Sequence, residues 1–232
     1  MELQEIIKGM DPETAIKGME PFLRLLMMYE CANMEIETKL NVLNAEFSLS
    51  YNRNPFESIK SRVKSPQSIF KKAMKKGIPL DAQSIEEAMH DVAGIRVICS
   101  FPEDIYIVRE MLLKQDDITL VKEKDYISQP KKNGYRSLHL IVEVPIFLSN
   151  ERRPMKVEIQ IRTIAMDAWA SLEHKLKYKQ DLKNGEAIAK KLKKCADMST
   201  ELDYAMQEIR REIDNGDLRT ETHAEGDDND TL

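Results

Sequence analysis

The amino-acid sequence predicts an α+β protein, in which a small mixed β-sheet is flanked by helices and further helices extend the chain at both ends. Three observations carry this prediction. Within residues 1–50, apolar residues recur at mixed three-, four- and six-residue steps, which favours helix. Between residues 93 and 162 they form short or alternating runs, which are typical of strands. After residue 186 an apolar stripe with helical spacing indicates a long C-terminal helix.

The sequence predicts the start and the end of a short basic helix that follows the N-terminal region. A break at residues 52–55 ends the N-terminal helical region. Ser65 and Pro66 predict the next helix start, because serine caps free backbone N–H groups and proline suits the first helical position. This helix should run to about Lys76 and end at Gly77, since glycine tolerates the left-handed conformation there.

Four strands are predicted in the central part of the chain. They span residues 93–101, 118–124, 136–144 and 155–162, with a helix at residues 103–114 between the first two. Residues 125–134 read as a polar loop. A turn region at residues 145–154 predicts that the last two strands pair antiparallel. Two further helices are expected, at residues 163–179 and at about 186–215.

The domain organisation follows from these elements. We expect N-terminal helices at residues 1–50, a core at 51–180, a C-terminal helix at 181–215 and a disordered tail at 216–232. The tail holds six acidic residues and one arginine, and it lacks a packing pattern.

Composition excludes several classes of protein. Apolar residues make up 42% of the chain and charged residues 32%, an ordinary globular balance. The chain outside the tail has 34 acidic and 34 basic residues, which disfavours a globally basic nucleic-acid binder. The apolar runs are too short for a membrane span, and the N-terminal residues lack the apolar stretch of a secretory signal. The three widely spaced cysteines argue against a disulfide framework or a zinc site, so a cytoplasmic location is expected.

The segment at residues 58–80 contains seven basic residues and no acidic residue. On a helical wheel, its four lysines from Lys71 to Lys76 lie within about 80° of Ser68, and the apolar residues lie opposite. One face would therefore pack while the other is uniformly cationic, which suits a polyanion such as a triphosphate. A merely solvated helix face is the alternative.

Two carboxylates are candidates for metal binding. Residues 155–162 alternate strictly between apolar and polar, which places Glu158 on a polar sheet face; a strand with one face in water is the alternative. Asp91 directly precedes another apolar strand, although it could instead form a turn or an ion pair with Arg96. Two acids on neighbouring strands near a basic helix would suit Mg²⁺-assisted phosphoryl chemistry. The dipeptide His90-Asp91 does not indicate a metal-dependent phosphohydrolase, since only four histidines are present.

Residues 131–139 combine an aromatic ring with several hydrogen-bond donors. Tyr135 is flanked by Lys132, Arg136 and His139, and no acidic residue occurs from Tyr126 to Val142. An aromatic ring beside cations suits a nucleotide base and its phosphates. A hairpin-like loop whose tyrosine packs on the core is the alternative.

Four strings in the same order resemble the synthetase domain of the RelA/SpoT family across about residues 54–179. They are Arg62-Val-Lys-Ser, Asp91-Val-Ala-Gly-Ile-Arg96, Gly134-Tyr-Arg-Ser-Leu-His139 and Glu158-Ile-Gln-Ile-Arg-Thr163. The chain resembles a small alarmone synthetase of this family. Three further strings are most similar to its RelP type: Ser61-Arg-Val-Lys-Ser, Ile127-Ser-Gln-Pro-Lys and Ala165-Met-Asp-Ala-Trp.

The resemblance implies a nucleotidyltransferase-like mixed sheet, a homotetramer, and a GTP pyrophosphokinase of the stringent response. The reaction would transfer pyrophosphate from ATP to the ribose 3′-hydroxyl of GDP or GTP and release AMP. Asp91 and Glu158 would hold Mg²⁺, with Glu158 helping to deprotonate the hydroxyl. The residues implied to hold ATP are Arg62, Lys64, Ser68, Lys72, Lys75 and Arg96. Those implied around GDP or GTP are Lys132, Tyr135 (stacked on guanine), Arg136, His139, Gln160, Arg162 and Asp167.

Two rival functions and one regulatory question stay open from the sequence. An RNA-binding module would use the same lysines but avoid the two acids, and a nucleotidyltransferase would release pyrophosphate instead of AMP. The preference for GDP or GTP and the oligomer interface are open too. The related RelQ type is activated by pppGpp bound between subunits by basic residues of its N-terminal helices. Here Lys39 is the only basic residue between Glu30 and Tyr51, which predicts no strong activation by pppGpp.

Overall fold

The computed structural model describes residues 12–50, 54–178 and 185–224, and across them it has five strands and six helices. In chain order the elements are α1 Pro12–Ser50, β1 Phe56–Val63, α2 Pro66–Lys76, α3 Ala82–Ala88, β2 Ala93–Cys99, α4 Pro102–Leu113, β3 Thr119–Asp125, β4 Leu138–Phe147, β5 Arg152–Thr163, α5 Ile164–Tyr178 and α6 Gly185–Ala224. This arrangement confirms the predicted α+β class, with helical extensions on both sides of the sheet.

The five strands form one mixed sheet in the order β1-β2-β5-β4-β3. Only β2 and β5 pair in parallel, and the other neighbours are antiparallel. The predicted antiparallel pairing of the last two strands is confirmed, from Leu138 opposite Ile161 to Phe147 opposite Arg152. Both strands extend into the predicted turn region, since the ladder continues up to a four-residue connection.

The sequence analysis missed two elements. β1 is an edge strand paired with β2, and it lies inside the basic segment for which no strand was predicted. Its exposed and half-exposed residues do not alternate with buried ones, so it lacks the period of two that identified the other strands. The second missed element is the short helix α3, whose N-cap Asp81 accepts a hydrogen bond of 2.8 Å from the backbone N–H of Ser84.

The predicted boundaries of α2 are confirmed. The side chain of Ser65 accepts a hydrogen bond from the backbone N–H of Ser68, and Pro66 is the first helical residue. Gly77 ends the helix with φ of 67°, in the left-handed region. The helix is anchored through buried Ile69 and Ala73, and the basic side chains around them face outward.

One face of the sheet carries the core. Alternate residues of β2, β4 and β5, such as Ile95, Leu140 and Ile159, are fully or almost fully buried. They form a single apolar cluster with side chains of α1, among them Ile36 and Leu40. The residues between them point to the other face, and that face bears the polar groups described below.

The C-terminal helix is longer than predicted. α6 continues to Ala224, beyond its predicted end at about Asn215, so residues 216–224, which were predicted to belong to the tail, lie in the helix. A helix that has already formed adds one hydrogen bond for each further residue, and it needs no packing partner to do so. The rest of the predicted tail, 225–232, and residues 1–11 of the predicted N-terminal helices lie outside the described residues. In the described part of the chain, no helix is long and apolar enough to cross a membrane.

Candidate active site

Polar residues from four strands line up on the open face of the sheet. Lys60 on β1 is the register partner of Arg96 on β2, which is aligned with Gln160 on β5, and Gln160 in turn faces His139 on β4. Cross-strand partners project to the same face. The sheet therefore brings cations, an amide and an imidazole into one row.

The adjacent row of cross-strand partners has a glycine, Gly94, at its centre, so no side chain fills that position. Arg62 is paired with Gly94, and Gly94 with Glu158. A Cβ atom added at Gly94 would be 3.8 Å from the carbonyl oxygen of Glu158 and so would fit, but it would project into the cleft. The cleft has a volume of about 190 Å³, and it is lined by Lys60, Ser61, Arg62, Gly94, Ile95, Arg96, Glu158 and Gln160.

Asp91 lies two residues before β2 and pairs with two lysines of the basic segment. Its Oδ2 accepts a hydrogen bond of 2.7 Å from Nζ of Lys64 and another from Nζ of Lys72. Burial opposes ionisation of this carboxyl, but the two ammonium groups outweigh burial and lower its pKa to about 2. Oδ1 is buried and has no hydrogen-bond partner among the described residues.

Glu158 on β5 is the second ionised carboxylate. Its Oε1 lies 3.1 Å from Nδ1 of His139, and its Oε2 accepts a hydrogen bond of 3.1 Å from Nε2 of Gln160. Burial and the nearby charge of Asp91 raise the pKa of Glu158, but His139 and Gln160 lower it more, and the net direction is downward. The two carboxylates are therefore charged at neutral pH and interact electrostatically.

A chain of hydrogen bonds runs from Arg162 to Glu158. Nη2 of Arg162 donates to the hydroxyl of Tyr135 at 2.6 Å, and that oxygen lies 2.7 Å from Nε2 of His139. Because Nδ1 of His139 faces a carboxylate, the partners assign the proton to Nδ1 and make Nε2 the acceptor of the tyrosine O–H. The chain fixes the orientation of both rings and of the carboxylate.

Asp167, at the start of α5, forms ion pairs with two arginines through the same carboxylate oxygen. Its Oδ1 is 3.1 Å from Nη1 of Arg96 and 3.2 Å from Nη1 of Arg162. Arg162 is nearly completely buried and also donates to Oε1 of Gln160 at 2.7 Å. Burial and the proximity of Arg162 lower the pKa of Arg96, and the carboxylate of Asp167 offsets this repulsion.

Not every predicted site residue joins this cluster. Arg136 is buried, and it donates from Nη2 to the hydroxyl of Tyr204 on α6 at 3.0 Å. The predicted strand began at Arg136, but β4 begins two residues later, at Leu138, so Arg136 lies outside the strand. Lys132, Ser68 and Lys75 are exposed and contact neither carboxylate.

Three residues at the site were missed by sequence reasoning. Gly94 and Lys60 line the cleft because of the β1–β2 register, which the sequence did not reveal. Nζ of Lys131 lies 4.4 Å from the ring centroid of Tyr126 and 4.6 Å from that of Tyr135, so the neighbour of the predicted Lys132 makes the aromatic contact. The sequence indicated that a lysine lies near the ring, but it did not show which of the two adjacent lysines makes the contact.

Most of the chain is similar to known proteins. Residues 61–203 match the family model described as the region found in RelA / SpoT proteins. The GTP pyrophosphokinase YwaC of Bacillus subtilis is 46% identical over 196 residues, which cover 84% of this chain and 93% of that protein. YjbM, another GTP pyrophosphokinase of B. subtilis, is 40% identical over 82% of this chain and 89% of its own.

A solved structure shares the same fold. The crystal structure of small alarmone synthetase 1 from B. subtilis, bound to its product pppGpp, superposes with a TM-score of 0.76 at 40% sequence identity. The match covers 83% of this chain and 97% of that one.

Proposed function

The chain belongs to the RelA/SpoT family, and on this premise we propose that it is a (p)ppGpp synthetase, a GTP diphosphokinase that uses ATP as donor. The observation that carries the proposal is the pair of ionised carboxylates, Asp91 just before β2 and Glu158 on β5, beside several cations. Transfer of a pyrophosphoryl group spreads negative charge over phosphate oxygens, which cations stabilise without covalent catalysis.

ATP binds on the side of the cleft formed by β1, β2 and α2. Arg62 and Arg96 lie beside the adenine ring, since both line the cleft. Lys64 and Lys72 hold the phosphates, and Ser68 and Lys75 extend the same cationic face. Both lysines form hydrogen bonds with Oδ2 of Asp91.

The guanine nucleotide binds on the β4–β5 side. Its base stacks on Tyr135, while Lys131, Lys132, His139, Gln160, Arg162 and Asp167 surround it. The 3′-oxygen attacks the β-phosphorus of ATP, and the bond from that phosphorus to the bridging oxygen of AMP breaks. Glu158 accepts the hydroxyl proton, and the Nδ1–H of His139 keeps its carboxylate oriented.

A divalent cation fits the two carboxylates. Oδ1 of Asp91 is buried without a partner among the described residues, and a buried carboxylate oxygen with no hydrogen bond suits a metal ion. The described residues contain no group of three or more metal-ligating side chains, which agrees with Mg²⁺, an ion that keeps waters and phosphate oxygens among its ligands. Bound there by Asp91 and Glu158, Mg²⁺ would neutralise phosphate charge.

The direct test is product analysis after ATP, GDP and Mg²⁺ are added to the protein. We expect AMP and ppGpp in equal amounts. Release of pyrophosphate would indicate a nucleotidyltransferase, and the absence of both products would contradict the proposal.

Glu158→Gln tests the assignment of the base. The change keeps the shape and removes the charge that attracts the proton and the cation, so synthesis should fall by at least about a thousandfold while ATP still binds. Glu143→Gln, on β4 outside the cleft, is the matched control and should keep activity. Activity of Glu158→Gln within about tenfold of the unchanged protein, roughly 1.4 kcal/mol in barrier, would contradict the role.

We further propose a homotetramer, active in the cytoplasm. Both long helices expose apolar side chains in the single chain, and such faces favour association. They include Leu23, Met34, Val42 and Leu49 on α1, and Met198, Leu202, Met206, Ile209 and Ile213 on α6. Sedimentation equilibrium at micromolar concentration tests this state, and a monomer would contradict it.

A further inference from the structure

The two nucleotide pockets share one carboxylate. Arg96 belongs to the donor side of the cleft and Arg162 to the acceptor side, yet both reach Oδ1 of Asp167, at 3.1 Å and 3.2 Å. Without that oxygen, two guanidinium groups would face each other in a partly buried environment and would repel.

The two arginines that Asp167 joins also reach towards the two proposed nucleotide pockets. On the donor side, Nε of Arg96 is buried without a partner among the described residues, so the guanidinium retains a donor for a ligand. On the acceptor side, the same Arg162 that reaches Asp167 donates to the hydroxyl of Tyr135 at 2.6 Å. A continuous chain of polar contacts therefore links Arg96 through Asp167 and Arg162 to the Tyr135 hydroxyl.

We propose that Asp167 is a positioning residue that couples the donor and acceptor pockets, so that each nucleotide binds more tightly when the other is present. This inference rests on the proposed function for the identity of the two nucleotides. The first nucleotide fixes its arginine, the shared oxygen fixes the second arginine, and the second nucleotide finds its pocket already ordered. Such coupling is reciprocal: each nucleotide changes the affinity of the other by the same factor.

The experiment is a binding cycle by titration calorimetry. The donor probe is an ATP analogue with a methylene group between the α- and β-phosphorus atoms, which cannot transfer pyrophosphate, and the acceptor probe is GDP. The affinity for each is measured alone and with the other at saturation. In the unchanged protein we expect the second nucleotide to bind about tenfold more tightly, within the range typical of coupled sites.

Asp167→Asn removes the charge with little change in shape, and it should bring the coupling factor to within about twofold of one. Asp167→Glu keeps the charge but shifts the oxygens by one methylene, and it should retain part of the coupling. The matched control is Asp116→Asn, which changes an exposed carboxylate in the turn before β3 and should leave the factor unaltered. Thermal unfolding verifies that each variant is folded; if Asp167→Asn is not, Asp167→Glu and Asp167→Ala carry the comparison.

Three results would overturn the inference. The unchanged protein could show no coupling, or Asp167→Asn could retain the full factor. Alternatively, Asp167→Asn could lose GDP affinity alone while the coupling of the residual binding persists, which would make Asp167 only a reader of the guanine edge. Failure of the proposed function is a separate outcome, because it appears as no AMP from ATP and GDP in the unchanged protein.

Discussion

The Tyr135 side chain is held at its ring and at its hydroxyl. Lys131 lies over the ring, and the hydroxyl contacts Arg162 and His139. These contacts fix both the ring and the hydroxyl of Tyr135. The motif predicted the aromatic ring beside donors, but it could not show that the hydroxyl connects Arg162 to His139, because that link requires the β4–β5 register.

We predict that Tyr135→Ala raises the KM for GDP by about 5- to 150-fold and changes the KM for ATP much less, because base stacking contributes about 1 to 3 kcal/mol. Tyr135→Phe is the control, since it keeps the ring and removes only the hydroxyl; it should retain most GDP affinity. Initial rates at varied GDP and varied ATP separate the two effects. An equal loss of affinity for both nucleotides would show that Tyr135 serves the core instead of the acceptor.

We predict that Asp91 makes the free energy of unfolding depend on pH in the acidic range. Because its pKa is lowered to about 2 in the folded protein, its ionised form stabilises the fold above the ordinary value near 4, and this stabilisation is lost as the pH falls from about 4 to 2. The difference between the pKa of Asp91 in the folded protein and its ordinary pKa corresponds to about 2 kcal/mol of stability.

Urea unfolding of the unchanged protein and of Asp91→Asn measures this contribution. The unchanged protein should be more stable at pH 7, and the difference should shrink towards zero near pH 2. Asp116→Asn, at an exposed position, should show a small difference at every pH. A constant gap for Asp91→Asn would contradict the assignment of the shift to Lys64 and Lys72.

At the scale of elements, local signals predicted most boundaries. Ser65, Pro66 and Gly77 defined α2 because capping depends on adjacent residues. The strict alternation of residues 155–162 likewise predicted most of β5 and the polar direction of Glu158. β1 was missed because an edge strand with charged residues on its exposed side has no alternating pattern.

The loop before β4 is attached to α6 through a close backbone contact. Gly134 has φ of 90°, and a Cβ atom there would lie 2.5 Å from Cβ of Ala196 and 3.0 Å from Cδ of Lys193. On the same helix, Tyr204 receives the hydrogen bond from Arg136. The C-terminal helix therefore supports the loop that presents Tyr135.

We predict that Gly134→Ala destabilises the protein by about 3 kcal/mol, through backbone strain and overpacking together. It should also weaken GDP binding, because the loop must move away from α6. The matched control is Gly77→Ala, whose φ of 67° is also positive but whose Cβ would have no atom within 4 Å. It should cost only the strain, about 1 kcal/mol, and leave GDP affinity unchanged. Equal effects of the two changes in calorimetric unfolding and GDP titration would contradict the attachment to α6.

At the scale of the whole molecule, the strand order could not be predicted from the sequence. Placing β5 between β2 and β4 brings Glu158 beside residues of both neighbouring strands. This neighbourhood joins positions far apart in the chain, such as Arg62 and Glu158, and no local period encodes it. The ordered strings of the RelA/SpoT resemblance assigned roles to these residues, but they did not give the strand order.

The surface of α1 differs from one that would bind a polyphosphate. Lys39, the only basic residue between Glu30 and Tyr51, is engaged by Asp117, with Nζ 2.7 Å from Oδ2 and 2.8 Å from Oδ1. Glu37 accepts a hydrogen bond of 2.6 Å from the hydroxyl of Ser61. The described part of α1 in this stretch therefore offers carboxylates and a neutralised lysine, whereas pppGpp needs several unpaired cations close together.

We therefore predict that pppGpp does not strongly activate this protein, although a relative has been crystallised with pppGpp as its bound product. The measurement is the initial rate of AMP formation at subsaturating ATP and GDP, with pppGpp added over a wide concentration range. Inorganic tripolyphosphate is the control for effects of charge and of metal chelation. The rate should change by less than about twofold. A tenfold change requires roughly 1.4 kcal/mol, and we expect the interaction free energy of pppGpp with this acidic part of α1 to be well below that.

A several-fold increase with pppGpp alone would contradict the prediction. If substitutions on α1 abolished that increase, the site would lie between the N-terminal helices despite their acidic charge.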